Sequence, residues 1–267
     1  MRGWWREITG LVLPVHCAGC GLPRSVLCEE CRRELCGRGA RRVWPDPVPA
    51  GLPPVRAAAA YADRVRSVLL AHKERGALEL AEPLGAALAG AVRAVGREAG
   101  RWGTRGGSDP LLLVPVPSSR LAVAGRGHDA GRRLALAAGR ALRSAGQPAR
   151  VAAVLRQRRT VADQSSLDAG QRWVNVSGAL GVAGGVKRLW RVGGPVVLVD
   201  DLMTTGSSLV EAARAVAASG GRVLGAAVVA APERAFVPGP DPGGTPGGGA
   251  TFPRETAGKH LNGGTAR

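Results

Sequence analysis

The residues with the most chemical content form one short segment, Val196-Val-Leu-Val-Asp200-Asp201-Leu-Met203-Thr204-Thr205-Gly206-Ser207-Ser208, which runs into a helical pattern. Its four-residue apolar run reads as a buried strand. That strand delivers two adjacent carboxylates to its C-terminal end, the edge where open α/β sheets bind ligands. The following turn gathers the hydroxyls of Thr204, Thr205, Ser207 and Ser208 at a helix N-terminus. Free backbone N–H groups and the helix dipole there favour a phosphate, and Gly206 lets the backbone approach it closely. Carboxylates repel a phosphate, so Asp200 and Asp201 suit a different task, accepting hydrogen bonds from a pair of sugar hydroxyls. The chemistry expected is recognition of a ribose 5-phosphate. The competing view is an ordinary helix N-cap beside two solvated acids; the preceding buried strand counts against it.

A second constellation is Cys17-x2-Cys20 followed by Cys28-x2-Cys31. Each pair places two thiolates on one tight turn, which Gly19 and Gly21 relieve, and two such pairs complete a tetrahedral zinc site. Reduced, buried cysteines are the alternative, unattractive in so polar a segment. Cys36 is left as a free thiol, and His16 is a lesser candidate ligand. His72 falls in a helical context and reads as a surface or core histidine. His128 is the histidine expected near the acidic pair.

The elements that must position these residues are legible from apolar runs and helix punctuation. A small-residue strand ends at Tyr61, a helix covers Asp63 to Lys73, and a second runs from Ala77 to about Val95. Gly96 to Asp109 reads as a basic surface loop. Strand Leu111–Val116, helix Asp129–Leu142, strand Val151–Leu155, strand Val196–Val199, helix Ser207–Ala218 and strand Val223–Ala231 follow. Continuous apolar strands separated by helices predict an α/β fold, a parallel sheet flanked by helices. Domain bounds are expected at 1–43 (Cys-rich zinc module), 44–54 (Pro-rich linker), 55–236 (main domain) and 237–267 (low-complexity Gly/Pro tail).

Composition limits the possible roles. An apolar fraction of 45% excludes wholesale disorder, and aromatics at 3% leave Ala, Val and Leu to build the core. The formal net charge of +17 favours polyanions or phosphorylated metabolites as partners. No apolar run reaches the ~18–20 residues that span a bilayer, so no membrane insertion is expected. The N-terminus lacks a small-x-small cleavage pattern and reads as mature, in a cytoplasmic protein. Trp4 and Trp5 read as apolar anchors of that terminus.

The segment Val196–Leu209 resembles the phosphoribosyl diphosphate (PRPP) signature of type I phosphoribosyltransferases. The wider layout resembles the ComF branch, competence-associated proteins with an N-terminal zinc module. The shared features are the Cys pairs, Tyr61 with Lys73-Glu-Arg-Gly76, Pro115-Val-Pro117, Arg126-Gly127, and a stretch with Arg156, Gln164, Arg172 and Asn175. One departure stands out: the family's Arg-Gly-Phe-Asn-Gln reads Arg126-Gly-His128-Asp129-Ala130 here.

The resemblance implies a type I phosphoribosyltransferase fold, Mg²⁺ bound with PRPP, and structural Zn²⁺ on Cys17, Cys20, Cys28 and Cys31. It implies Asp200 and Asp201 as the catalytic pair and a PRPP site spanning Asp200, Asp201 and Met203 to Ser208. Pyrophosphate would sit on the loop Pro117-Ser118-Ser119-Arg120, under a lid carrying Arg158, Arg159, Gln164 and Arg172. Two functions follow. One is an enzyme that transfers a phosphoribosyl group to an unidentified acceptor. The other is a binding module that handles single-stranded DNA, with the DNA-uptake machinery as partner and no turnover.

Overall fold

The apolar runs lie side by side in a six-stranded sheet with helices on both faces. The computed structural model describes residues 15–101, 110–159, 178–192 and 194–236. Its strands are β1 (Arg41–Val43), β2 (Val55–Ala60), β3 (Leu111–Pro115), β4 (Ala149–Val151), β5 (Leu155–Gln157), β6 (Leu180–Val182), β7 (Val196–Leu202) and β8 (Val223–Ala231). Its helices are α1 (Glu29–Cys36), α2 (Asp63–Glu74), α3 (Ala81–Glu98), α4 (Arg120–Arg126), α5 (Ala130–Ser144), α6 (Lys187–Val192) and α7 (Ser207–Ala218). The sheet order is β1-β2-β8-β7-β3-β4, parallel except where β1 runs antiparallel to β2. β5 and β6 make a separate antiparallel ribbon. The expected α/β architecture is present.

Side-chain alternation divides the core into two layers, because successive strand residues face opposite sides. Leu111, Leu113, Val197, Val199, Ala227 and Val229 pack with α2, α3 and α5 on one face. Leu112, Val114, Val196, Leu198, Ala226 and Val228 pack with α7 and the β5–β6 ribbon on the other. Cys17, Leu27, Cys31 and Leu35 join the first layer, beside Leu84 and Leu88 of α3. Among the described residues, no helix is long and apolar enough to cross a membrane.

Three expected boundaries shift. The strand expected at Val151–Leu155 is two strands: β4 stops at Val151 after pairing with β3, and Leu155 begins the ribbon. The break comes where Ala152 N–H makes a last bond to Leu113 O and Val154 N–H turns back onto Ala152 O. The second helix starts at Ala81, after a 3₁₀ turn at Leu78–Leu80. Pro83 is tolerated in a first turn but not in a helix interior, so an earlier α-helical start is closed. The same helix runs past Gly96 to Glu98, whose carboxylate meets Arg42 at 3.3 Å and Arg56 at 3.0 Å. The basic loop therefore starts later than expected, and residues 102–109 lie outside the described residues.

Candidate functional site

β7 carries Asp200 and Asp201 as its own residues, with Asp200 paired to Val228 and Leu202 to Ala230 of β8. The ladder ends as Met203 N–H donates to Ala230 O, and the chain turns into α7. Gly206 occupies the N-cap with φ 77°, and no side chain caps the helix. A Cβ at Gly206 would lie 2.9 Å from Leu52 Cδ1, so the turn packs tightly on the Pro-rich segment. The first N–H groups of a helix have no intrahelical acceptor. Thr204 is exposed, Ser208 is half-buried, and Thr205 Oγ1 lies 3.0 Å from Ser207 Oγ. Met203, expected in the PRPP site, has its side chain 2% exposed in the core, so only its backbone faces the turn.

The acidic pair is asymmetric. The Asp200 carboxylate folds back to accept the Asp201 N–H at 2.8 Å. Burial, then the neighbouring Asp201 charge, holds Asp200 well above the usual carboxylate range. Asp201 faces α2, where Lys73 Nζ lies 2.8 Å from its Oδ2. Burial pushes the Lys73 ammonium down, but Asp201 outweighs it and the net movement is upward. The sequence placed Lys73 in a family motif without a role. A contact between α2 and β7 leaves no local signal in either segment.

Beside this ion pair lies a second group. Arg126 is 10% exposed at its side chain and donates to Glu74 Oε1 at 3.0 Å; its Nε is buried with no partner. His128 Nδ1 lies 3.0 Å from Arg126 O. A carbonyl only accepts, so Nδ1 carries the proton that points at it, and Nε2 is buried without a partner. The His72 ring stands edge-on to His128 at 6.3 Å, buried rather than at the surface. Burial, with the positive groups around it, lowers the His72 pKa to about 4, so the ring is neutral at physiological pH. Asp129, the acid in the departure from the family pattern, caps α5 by accepting Arg132 N–H at 3.0 Å.

The loop expected to take pyrophosphate, Pro117 to Arg120, follows β3. Ser119 caps α4 by accepting Ala122 N–H at 3.1 Å, and Arg120 is the first helical residue. Ser118 Oγ and Val116 O border Gly131 in the first turn of α5, so the loop and α5 begin together. Pro117 is half-buried. Arg158 takes a different place. It crosses Gly181 on β6 and lines a 130 Å³ cavity with Arg214, Ala218 and Ser219, at the end of α7 opposite the Gly206 turn. Arg159 closes that described stretch; Gln164 and Arg172 lie outside the described residues.

The cysteine module is assembled. The four sulfurs of Cys17, Cys20, Cys28 and Cys31 lie within 4.8 Å of one another, and Cys20 Sγ to Cys28 Sγ is 3.6 Å. A tetrahedron with Zn–S bonds of ~2.3 Å has edges of about 3.8 Å, so the donor set fits zinc. A Cβ at Gly19 would lie 2.7 Å from Cys31 Sγ, which is why glycine stands in this knuckle. Cys28 N–H donates to Cys17 Sγ at 3.3 Å. Burial raises the Cys17 thiol, yet N–H groups of Cys28, Cys20 and Gly19 bring it down to about 6. A sulfur already prone to ionise is a ready first ligand.

No protein-family model matches the chain, and no curated protein matches it significantly.

Proposed function

We propose that the chain is a phosphoribosyltransferase of the type I fold that binds PRPP with Mg²⁺, and that its cysteine module holds a structural Zn²⁺. One observation carries the reading: a buried strand ends in two carboxylates that flow directly into an uncapped, hydroxyl-rich helix N-terminus. The two halves of that edge match the two halves of a ribose 5-phosphate. The Gly206 turn and α7 take the 5-phosphate through backbone N–H groups and the hydroxyls of Thr204, Thr205 and Ser208. Asp201, paired with Lys73, accepts from the ribose hydroxyls; Asp200, which accepts the Asp201 N–H, fixes the pair's orientation.

Displacing pyrophosphate from the anomeric carbon spreads negative charge over the leaving group, so positioning and electrostatics dominate catalysis. Holding ribose at two carboxyls and phosphate at a helix end fixes the ring against rotation while the bond breaks. The residues suit Mg²⁺ as a cation arriving on the ligand's phosphate oxygens, because Asp201 is already matched by Lys73 and Asp200 favours its proton. When bound, it supplies charge neutralisation to the diphosphate.

The basic surface supports a second reading, single-stranded DNA bound through phosphates. Arg132 and Arg133 are exposed in the first turn of α5, which starts after the loop that follows β3. The enzymatic reading is tested by incubating the protein with PRPP, Mg²⁺ and a fractionated metabolite extract. Pyrophosphate release that depends on one fraction and is lost in Asp201→Asn supports transfer. No release from any fraction removes the transferase reading and leaves the binding one.

A further inference from the structure

Lys73 has an ion-pair partner within the site, and that partner is the group assigned to the sugar. Its ammonium sits on Asp201 Oδ2 at 2.8 Å, taking one of the acceptor positions that ribose hydroxyls need. A diol approaching Asp201 therefore competes with Lys73. The ammonium is not locked in: the Lys73 side chain is 37% exposed, whereas that of Asp201 is 13% exposed. Displacement is easy only if another anion receives the lysine.

The surroundings favour an anion. Lys73, Arg126 and Arg133 act on this corner, against Asp201, the half-exposed Glu74 that holds Arg126, and Asp200, which favours its proton. Arg126 is nine-tenths buried with its Nε unpartnered, so a cation with unused hydrogen-bonding capacity already stands beside Lys73. His72, neighbour to Lys73 in the chain, is neutral in this field and adds no charge.

We infer that Lys73 is an exchangeable counter-ion: it rests on Asp201 in the free protein and transfers to the diphosphate of the incoming ligand, freeing Asp201 for the ribose hydroxyls. This rests on the PRPP reading for the identity of the ligand. It makes the two halves of the site cooperate, because the diphosphate removes the lysine that blocks the sugar's acceptor. A sugar phosphate without a diphosphate leaves the block in place and binds less tightly.

The experiment is a double-mutant cycle in the full-length protein, read by calorimetric titration of inorganic pyrophosphate in Mg²⁺ buffer, with ribose 5-phosphate and PRPP titrated separately. Lys73→Met should weaken pyrophosphate binding about tenfold or more, and Lys73→Arg should restore much of the loss. Asp201→Asn should tighten pyrophosphate binding roughly fivefold in the wild-type background and change it little in Lys73→Met. That dependence on Lys73 separates exchange from simple removal of a negative charge. Equal tightening in both backgrounds, or no loss in Lys73→Met, overturns the inference. Weak ribose 5-phosphate binding is the expected consequence of the block; failure of PRPP to bind, with the pyrophosphate cycle intact, overturns the PRPP reading and leaves the transfer of Lys73 to a diphosphate standing.

Discussion

Glu211 offers a sharp test of how the sequence holds the β5–β6 ribbon. It is 3% exposed on α7, and its Oε1 accepts the Leu180 N–H at 2.8 Å. Arg214 grips both carboxylate oxygens at 2.7 Å and donates onward to Leu180 O at 3.0 Å. One carboxylate thus ties β6 to the helix that also carries the candidate phosphate turn. The two parts of this clamp differ in worth. Leu180 is buried, so losing its acceptor leaves an unsatisfied N–H, costing about 1–3 kcal/mol. The Arg214 side chain is 49% exposed, and solvent screening limits its ion pair to about 0–1 kcal/mol. Glu211→Ala should therefore cost about 2–3 kcal/mol, a fall in Tm of roughly 4–12 °C for a chain of this size. Glu211→Gln keeps an oxygen for Leu180 and should cost under about 1 kcal/mol. Burial raises the Glu211 carboxyl, but Arg214 and the N–H groups of Leu180 and Gly178 outweigh it and leave it lowered. With a lowered folded value, its contribution is present above the ordinary glutamate range and lost as pH falls through the lowered value. The gap between wild type and Glu211→Ala should accordingly narrow in acid. Thermal and urea unfolding at pH 7.5 and in acid read these differences. A Gln variant as damaged as the Ala variant would refute the division between the buried bond and the screened pair.

Other outcomes follow from the same geometry. Metal analysis of protein prepared without chelator should give close to one equivalent of zinc, lost in Cys28→Ser; freely titratable native thiols with no metal contradict the site. Asp200 has a raised folded pKa, so its contribution is present in acid and is lost as pH rises through that raised value. Asp200→Asn should therefore stabilise the protein by about 0.5–2 kcal/mol at pH 8 and by little near pH 4, measured by denaturant unfolding. Single-stranded DNA should bind with steep salt dependence and be displaced by PRPP with Mg²⁺ if it tracks the arginines of α5; gel shifts at rising salt read both. Binding that ignores PRPP would place the DNA on another surface.

Legibility differed by how local each signal was. β3, β7 and β8 were readable because they are buried on both faces and so are apolar without interruption. The cysteine site was readable because two tight turns bring thiolates together within fifteen residues. β1 was missed: Arg41-Arg-Val43 reads polar, and it is held by pairing with β2, by the buried Val43, by the Glu98 contact to Arg42 and by Arg41 stacked on Phe236. The β5–β6 ribbon was missed for a similar reason, since each strand has three residues and is fixed by Glu211 and Arg214 from elsewhere. In the candidate site, the Asp pair and its turn are one continuous segment, so their placement at the end of β7 and the start of α7 was legible. The Lys73–Asp201 contact and the edge-on His72–His128 pair form only when α2, β7 and the α4–α5 corner meet. Arg158 shows the converse: its sequence neighbours suggested a phosphate contact, while ribbon pairing carries it to the far end of α7.

The most direct test of the central claim is calorimetric titration of the full-length protein with PRPP and Mg²⁺, beside the Asp200→Asn, Asp201→Asn double variant. Saturable binding by the wild type is expected, weakened in the variant by about tenfold or more through loss of the Asp201 acceptor for the ribose hydroxyls and of the Asp200 carboxyl that orients it. No saturable binding, or equal affinity in the two proteins, would contradict the assignment of the acidic pair to ribose.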